Sequence, residues 1–185
     1  MMATTHAAMG AALALAVGRV APELAAVAVL AAFCGGLFPD LDIVLGAHRR
    51  TLHHPELYSV LAVPATAAAV VSPGPATAAI AAFLGSAALH SVTDAFGGGL
   101  GLRPWIEDDH RGVYLHTRGR WARPRRWIRY DGAPEDLVLV TLLSVPVALS
   151  GGPTGWLALA GLAVSVPYAL FRKPLTERYP GLFEA

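Results

Sequence analysis

Six stretches of this chain, residues 4–18, 24–38, 57–71, 75–89, 137–149 and 156–171, contain no Asp, Glu, Lys or Arg. An amphipathic helix of a soluble domain needs a charged or strongly polar face turned away from its core, and these stretches offer only scattered Ser and Thr. Six helices that are apolar on every side cannot all be buried within 185 residues, which disfavours a compact soluble bundle. Composition agrees: 55% of residues are hydrophobic and 15% charged, where soluble domains carry about 25% charged. Cys34 is the only cysteine, so a disulfide-stapled scaffold is excluded.

A helix of about 15 residues rises about 22 Å, less than the roughly 30 Å of a hydrocarbon core. Each span must therefore recruit flanking residues or thin the bilayer around it. The resulting expectation is an all-α integral membrane protein, with about six short transmembrane helices in three hairpins. An even number of spans places the N-terminus, the loops 39–56 and 90–136, and the C-terminus on one side. That side holds 13 of the 14 basic residues and leaves only Arg19 opposite. By the positive-inside rule both termini are cytoplasmic and the location is the inner (cytoplasmic) membrane. The opposite turns, near 20–23, 72–75 and 150–154, are short and rich in Gly, Pro and Ser. A cleaved leader is the weaker reading of the first stretch, because no Lys or Arg precedes it.

The residues able to do chemistry fall where the spans meet this basic side. His6 opens the first span; Asp40 and Asp42 close the second; His48 and His53 follow in the next loop, with His54 beside them. His90 and Asp94 end the fourth span at i and i+4, one face of a helix, so both can address one ion. Pro39 is expected to break the second helix and leave both aspartates in an extended turn. Imidazoles mixed with carboxylates suit a divalent transition metal, zinc first and manganese or iron next, better than calcium or magnesium. Seven candidates, His6, Asp40, Asp42, His48, His53, His90 and Asp94, exceed the three or four ligands of a catalytic zinc. The surplus could hold a second metal, orient imidazoles or act as a base. Asp42 is the candidate catalytic carboxylate, and Arg49 is the nearest cation for an anionic substrate.

The order of His6, Pro39-Asp40-Leu41-Asp42, His48-Arg49 with His53, and His90 with Asp94 resembles the YdjM-like family of membrane-bound proteins described as metal-dependent hydrolases. The resemblance covers roughly residues 1–96. It implies a multi-span membrane protein with a hydrolase site.

Three segments follow: 1–96 with the candidate metal site, 97–136 as a basic, aromatic cytoplasmic loop, and 137–185 with two further helices and a tail. In the loop, 113–117 and 126–130 alternate as two strands of a ribbon, with Gly119 and Pro124 between them. Six arginines from Arg118 to Arg129 stand among Trp121, Trp127 and Tyr130. Next to membrane spans this mixture reads as contact with anionic headgroups rather than nucleic acid. Glu107, Asp108, Asp109, His110 and His116 read as solvated loop residues. The partners expected are therefore the lipid bilayer and an anionic or phosphate-bearing substrate, and the function expected is hydrolysis of a phosphoester or lipid-related substrate at the cytoplasmic face. A small transporter would place its ionisable groups nearer mid-membrane. A non-catalytic scaffold would hold a closed structural metal.

Overall fold

A computed structural model describes residues 1–182 of the chain. The described residues are mostly helical: α1 (Ala3–Ala14), α2 (Val17–Val20), α3 (Ala25–Leu37), α4 (Asp42–Leu45), α5 (Pro55–Val71), α6 (Pro75–Thr93), α7 (Pro134–Leu149) and α8 (Gly152–Arg178). One two-stranded antiparallel ribbon, β1 (Val113–Leu115) and β2 (Arg120–Ala122), lies between α6 and α7. Proline stands in the first turn of α5, α6, α7 and α8, where its missing N–H costs no helical hydrogen bond.

Each of the six apolar stretches contains a helix, and length divides them. Three runs are long and apolar enough to cross a membrane: Pro22–Leu45, which joins α3 and α4 through a 3-10 turn at Pro39–Leu41, then Pro75–Phe96, and Gly152–Arg178. Pro55–Val71 is apolar but shorter. The first stretch is divided, α1 ending at Ala14 and α2 occupying only four residues.

Small residues dominate the contacts between the helices, and many large apolar ones stand outside. Ala11, Ala14, Ala28, Ala32 and Ala158 form much of one buried cluster, whereas Val63, Val71, Leu142, Leu149 and Trp156 are exposed. Helices associating in lipid gain from close approach of small residues rather than from hiding leucines, and a surface this apolar is suited to hydrocarbon. Gly35 and Gly36 mark close approaches of α3 to its neighbours. A Cβ on Gly36 would stand 2.7 Å from Ala7 Cα and from the His6 carbonyl, and a Cβ on Gly35 would collide with the Phe83 carbonyl. These two glycines let α3 wedge between α1 and α6, the helices that carry His6 and His90.

Asp136 fastens the far side. It is fully buried at the start of α7 and accepts hydrogen bonds from Met2 N (2.8 Å), Thr5 Oγ1 (2.7 Å) and Gly132 N (3.0 Å). A buried carboxylate with three donors is satisfied rather than stranded.

Two local expectations are corrected. Pro39 does not open an extended turn: Phe38, Leu41 and Asp42 keep right-handed helical dihedrals, because proline at the first position of a 3-10 turn fits that backbone. The ribbon's second strand is Arg120–Ala122, not 126–130. Gly119, with φ +57°, reverses the chain so early that Val113 pairs with Ala122 and Leu115 with Arg120. Arg126 has φ +56°, which interrupts any extended run, and this segment instead lies along 95–97 through Arg125 N to Ala95 O (2.7 Å) and Ile128 N to Phe96 O (3.2 Å).

Candidate metal centre

Three elements converge at one end of the helices. The turn after α3 supplies Asp40, the loop before α5 supplies His53, and the end of α6 supplies His90 and Asp94. One ligand atom from each lies within 4.8 Å of all the others. His53 Nε2 is 3.1 Å from His90 Nε2, 3.0 Å from Asp94 Oδ2 and 3.6 Å from Asp40 Oδ1. His90 Nε2 is 3.3 Å from Asp40 Oδ1 and 3.5 Å from Asp94 Oδ2. A tetrahedral site with ligands about 2.0–2.1 Å from its centre has edges of about 3.3–3.4 Å, so these separations have the scale of one coordination shell.

The imidazole tautomers sharpen the argument. His90 Nδ1–H donates to the Gly36 carbonyl (2.6 Å), and His53 Nδ1–H donates to Asp42 Oδ2 (2.8 Å). A carbonyl and a carboxylate only accept, so each ring has committed its Nδ1 proton. The two Nε2 atoms then face each other, and as neutral rings they would oppose lone pair to lone pair. A positive charge, proton or metal, is needed between them. Burial pushes the His53 imidazole toward the neutral form, but its hydrogen bonds to Asp42 and Asp94 outweigh this and raise its pKa above the ordinary histidine value.

The remaining candidates surround this set. Asp42 is fully buried behind His53 and also accepts from His48 Nδ1 (2.9 Å) and Leu52 N (3.2 Å), so both its oxygens are engaged. That is the placement of a carboxylate that orients histidines rather than of a base poised over substrate. Asp42, His48 and His53 also form a second compact His/Asp group. His6 stacks on His90 with centroids 3.7 Å apart, and its Nε2–H donates to Asp94 Oδ1 (3.0 Å), the oxygen turned away from His53. The Met1 amine lies 3.5 Å from the same oxygen.

Asp40 is the member that reaches solvent: its side chain is 14% exposed, against 2% or less for His53, His90 and Asp94. It borders a cavity of about 420 Å³ that His48 and Arg49 also line. His48 is held by Asp42 through Nδ1, and among the described residues no hydrogen-bond partner occupies its Nε2. Arg49 is buried, with Nη1 donating to the carbonyls of Gly98 (2.6 Å) and Gly112 (3.2 Å), and Nε 3.5 Å from Asp94 Oδ2.

Several contributors had no signal in the sequence. The carbonyls of Gly36, Gly98 and Gly112 are backbone acceptors that any residue type could offer. The ribbon also touches the site: Tyr114 N donates to the Arg49 carbonyl (3.0 Å), and His116, stacked on His54, bonds the carbonyls of Arg50 (2.8 Å) and His53 (3.1 Å). By contrast Asp108, Asp109, His110 and Arg111 pair among themselves or with Arg126 in the outer loop. Comparison with models of known protein families, with curated proteins and with solved structures finds no match.

Proposed function

We propose that this chain is a metal-dependent hydrolase of the inner membrane, related to the YdjM-like family, with about six spans in three hairpins and both termini cytoplasmic. The opposed pair His53 Nε2 and His90 Nε2, 3.1 Å apart between two carboxylates, is the observation that carries the reading. Asp40, His53, His90 and Asp94 would hold the ion, with zinc preferred and manganese or iron next. When bound, such an ion supplies Lewis acidity to water and to the oxyanion that develops on the substrate. Asp42 and His6 act as positioning residues, fixing His53 and the outer oxygen of Asp94.

His48 is the proton carrier. Asp42 fixes its Nδ1–H, which leaves an Nε2 lone pair beside the cavity. In hydrolysis His48 Nε2 takes a proton from the attacking water as the water oxygen bonds to phosphorus or an acyl carbon. The ester bond then breaks, and the leaving oxygen recovers that proton from His48. Arg49 holds the anionic group of the substrate. The membrane topology in this reading rests on the basic residues gathered at the end of the helices that carries the site.

The test is elemental analysis of protein purified in mild detergent beside a His90→Ala, Asp94→Ala variant. The parent is expected to carry about one equivalent of transition metal, and the variant less than about a tenth of that while still eluting as folded protein. A folded parent that takes up no zinc, manganese or iron on reconstitution overturns the reading.

A further inference from the structure

The cavity beside Asp40 has a composition that a soluble substrate does not require. Its about 420 Å³ falls within the range of small-molecule sites. Asp40, His48 and Arg49 are among its polar lining, with further polar groups from Ser165 and Tyr168 beside Val164; Ile43, Leu100 and Val164 are among its apolar lining. Ile43 lies in the run Pro22–Leu45 and Val164 in Gly152–Arg178, so two of the runs able to cross a membrane border it. Ile43 is 50% and Val164 60% exposed, and the apolar wall therefore continues onto the outer helical surface.

The polar lining favours an anion at Arg49. Asp131, also at the cavity, is already paired with Arg172 Nε (2.7 Å) and accepts from Tyr168. Arg49 is only 6% exposed: its Nε lies against Asp94 Oδ2 (3.5 Å) and its Nη1 donates to the Gly98 and Gly112 carbonyls, whereas among the described residues no hydrogen bond engages its Nη2. Its backbone is held at φ +59°, a conformation that a non-glycine residue keeps only where its surroundings impose it, and Tyr114 N clamps its carbonyl. A buried, backbone-anchored guanidinium with donor capacity to spare is suited to phosphate oxygens.

Building on the hydrolase reading, we propose that this cavity binds a phosphate-bearing lipid, its headgroup against Arg49 and Asp40's edge of the metal centre, and its chain leaving between Ile43 and Val164 into the bilayer. The shared chemistry with free phosphate is the Arg49 contact; the apolar exit selects the lipid.

Calorimetric titration of the full chain in nonionic detergent, loaded with zinc, tests this with dioctanoyl phosphatidic acid, inorganic phosphate and dioctanoylglycerol as probes. The phosphatidic acid should bind at least about tenfold more tightly than either other probe. Val164→Trp, and independently Ile43→Trp, should each weaken it by about tenfold or more, with metal content unchanged. Two substitutions on separate helices guard against one that fails to fold. Equal binding of inorganic phosphate overturns the lipid assignment, equal binding of dioctanoylglycerol overturns the Arg49 contact, and binding indifferent to both tryptophans overturns the cavity. Lipid binding that is sensitive to the tryptophans, in protein that binds no metal, instead refutes the hydrolase reading alone and leaves the cavity assignment standing.

Discussion

The rim of the helices and the outer part of the 97–136 loop use the same residue types, Asp, His and Arg, to opposite effect. At the rim, His53, His90 and Asp94 are removed from water, and the Nδ1 of each imidazole and the Oδ1 of Asp94 are held by named partners. In the loop, Asp108 is 79% and His110 59% exposed at the side chain, and their 3.7 Å pair is open to solvent. Buried charge interacts strongly and is costly when unpaired, whereas exposed pairs contribute about 0–1 kcal/mol. Only the region that excludes water holds imidazoles in a geometry they would not adopt alone. Burial, more than the presence of ligand-type residues, separates a site from a solvated surface.

The largest effect expected from that contrast is in the buried set. Replacing His53 with Ala removes one ligand and one of the three donors to Asp42, and zinc affinity measured by competition with a chelator should fall by more than about a hundredfold. A fall no larger than that of His110→Ala would erase the distinction between the two regions. Next comes Asp42→Asn, which keeps the shape but exchanges a carboxylate for an amide at His53 Nδ1, and about a 10–100-fold loss of metal affinity is expected. An unchanged affinity would remove Asp42 from its positioning role.

Metal uptake should also depend on pH in a stated direction. Because the pKa of His53 is raised, its proton stabilises the metal-free fold below the ordinary histidine value, and that contribution is lost as pH rises through the folded-state value. A metal must expel this proton, so zinc affinity should rise between about pH 6 and pH 8. A flat profile would show that no proton is displaced.

Packing gives an intermediate effect. Gly36→Ala places a methyl 2.7 Å from Ala7 Cα, and about 1–3 kcal/mol of destabilisation is expected, read as a lowered thermal midpoint in detergent. A midpoint equal to that of the parent would mean that α1 and α3 separate without cost. The smallest effect belongs to the loop: Arg111→Ala, which breaks the exposed pair with Asp109, should change stability by less than about 1 kcal/mol and leave metal content untouched. A larger loss would mean that the outer loop shares the cooperativity of the rim.

Much of the site was legible because its residues fall at the ends of stretches that are themselves free of charge. His90 and Asp94 needed only helical periodicity to be placed together, and Nε2 and Oδ2 do lie 3.5 Å apart. The division of labour among the seven was not legible. Asp40 and Asp42 are two residues apart, yet one faces the cavity and the other is buried behind His53, because the 3-10 turn and α4 rotate them to different sides. Nor did alternation in 126–130 reveal that this segment would lie against 95–97, since a strand pattern does not name its partner.

The sequence by itself determined a helical chain of uncharged apolar segments with imidazoles and carboxylates at the ends of several of them, because periodicity, proline position and charge segregation are local properties. Only the tertiary structure decided that His53 and His90, 37 positions apart, would face each other through Nε2, with His6 stacked behind. That geometry depends on α3 passing close to α1 and α6 at Gly35 and Gly36, a steric condition between distant segments that no local pattern encodes.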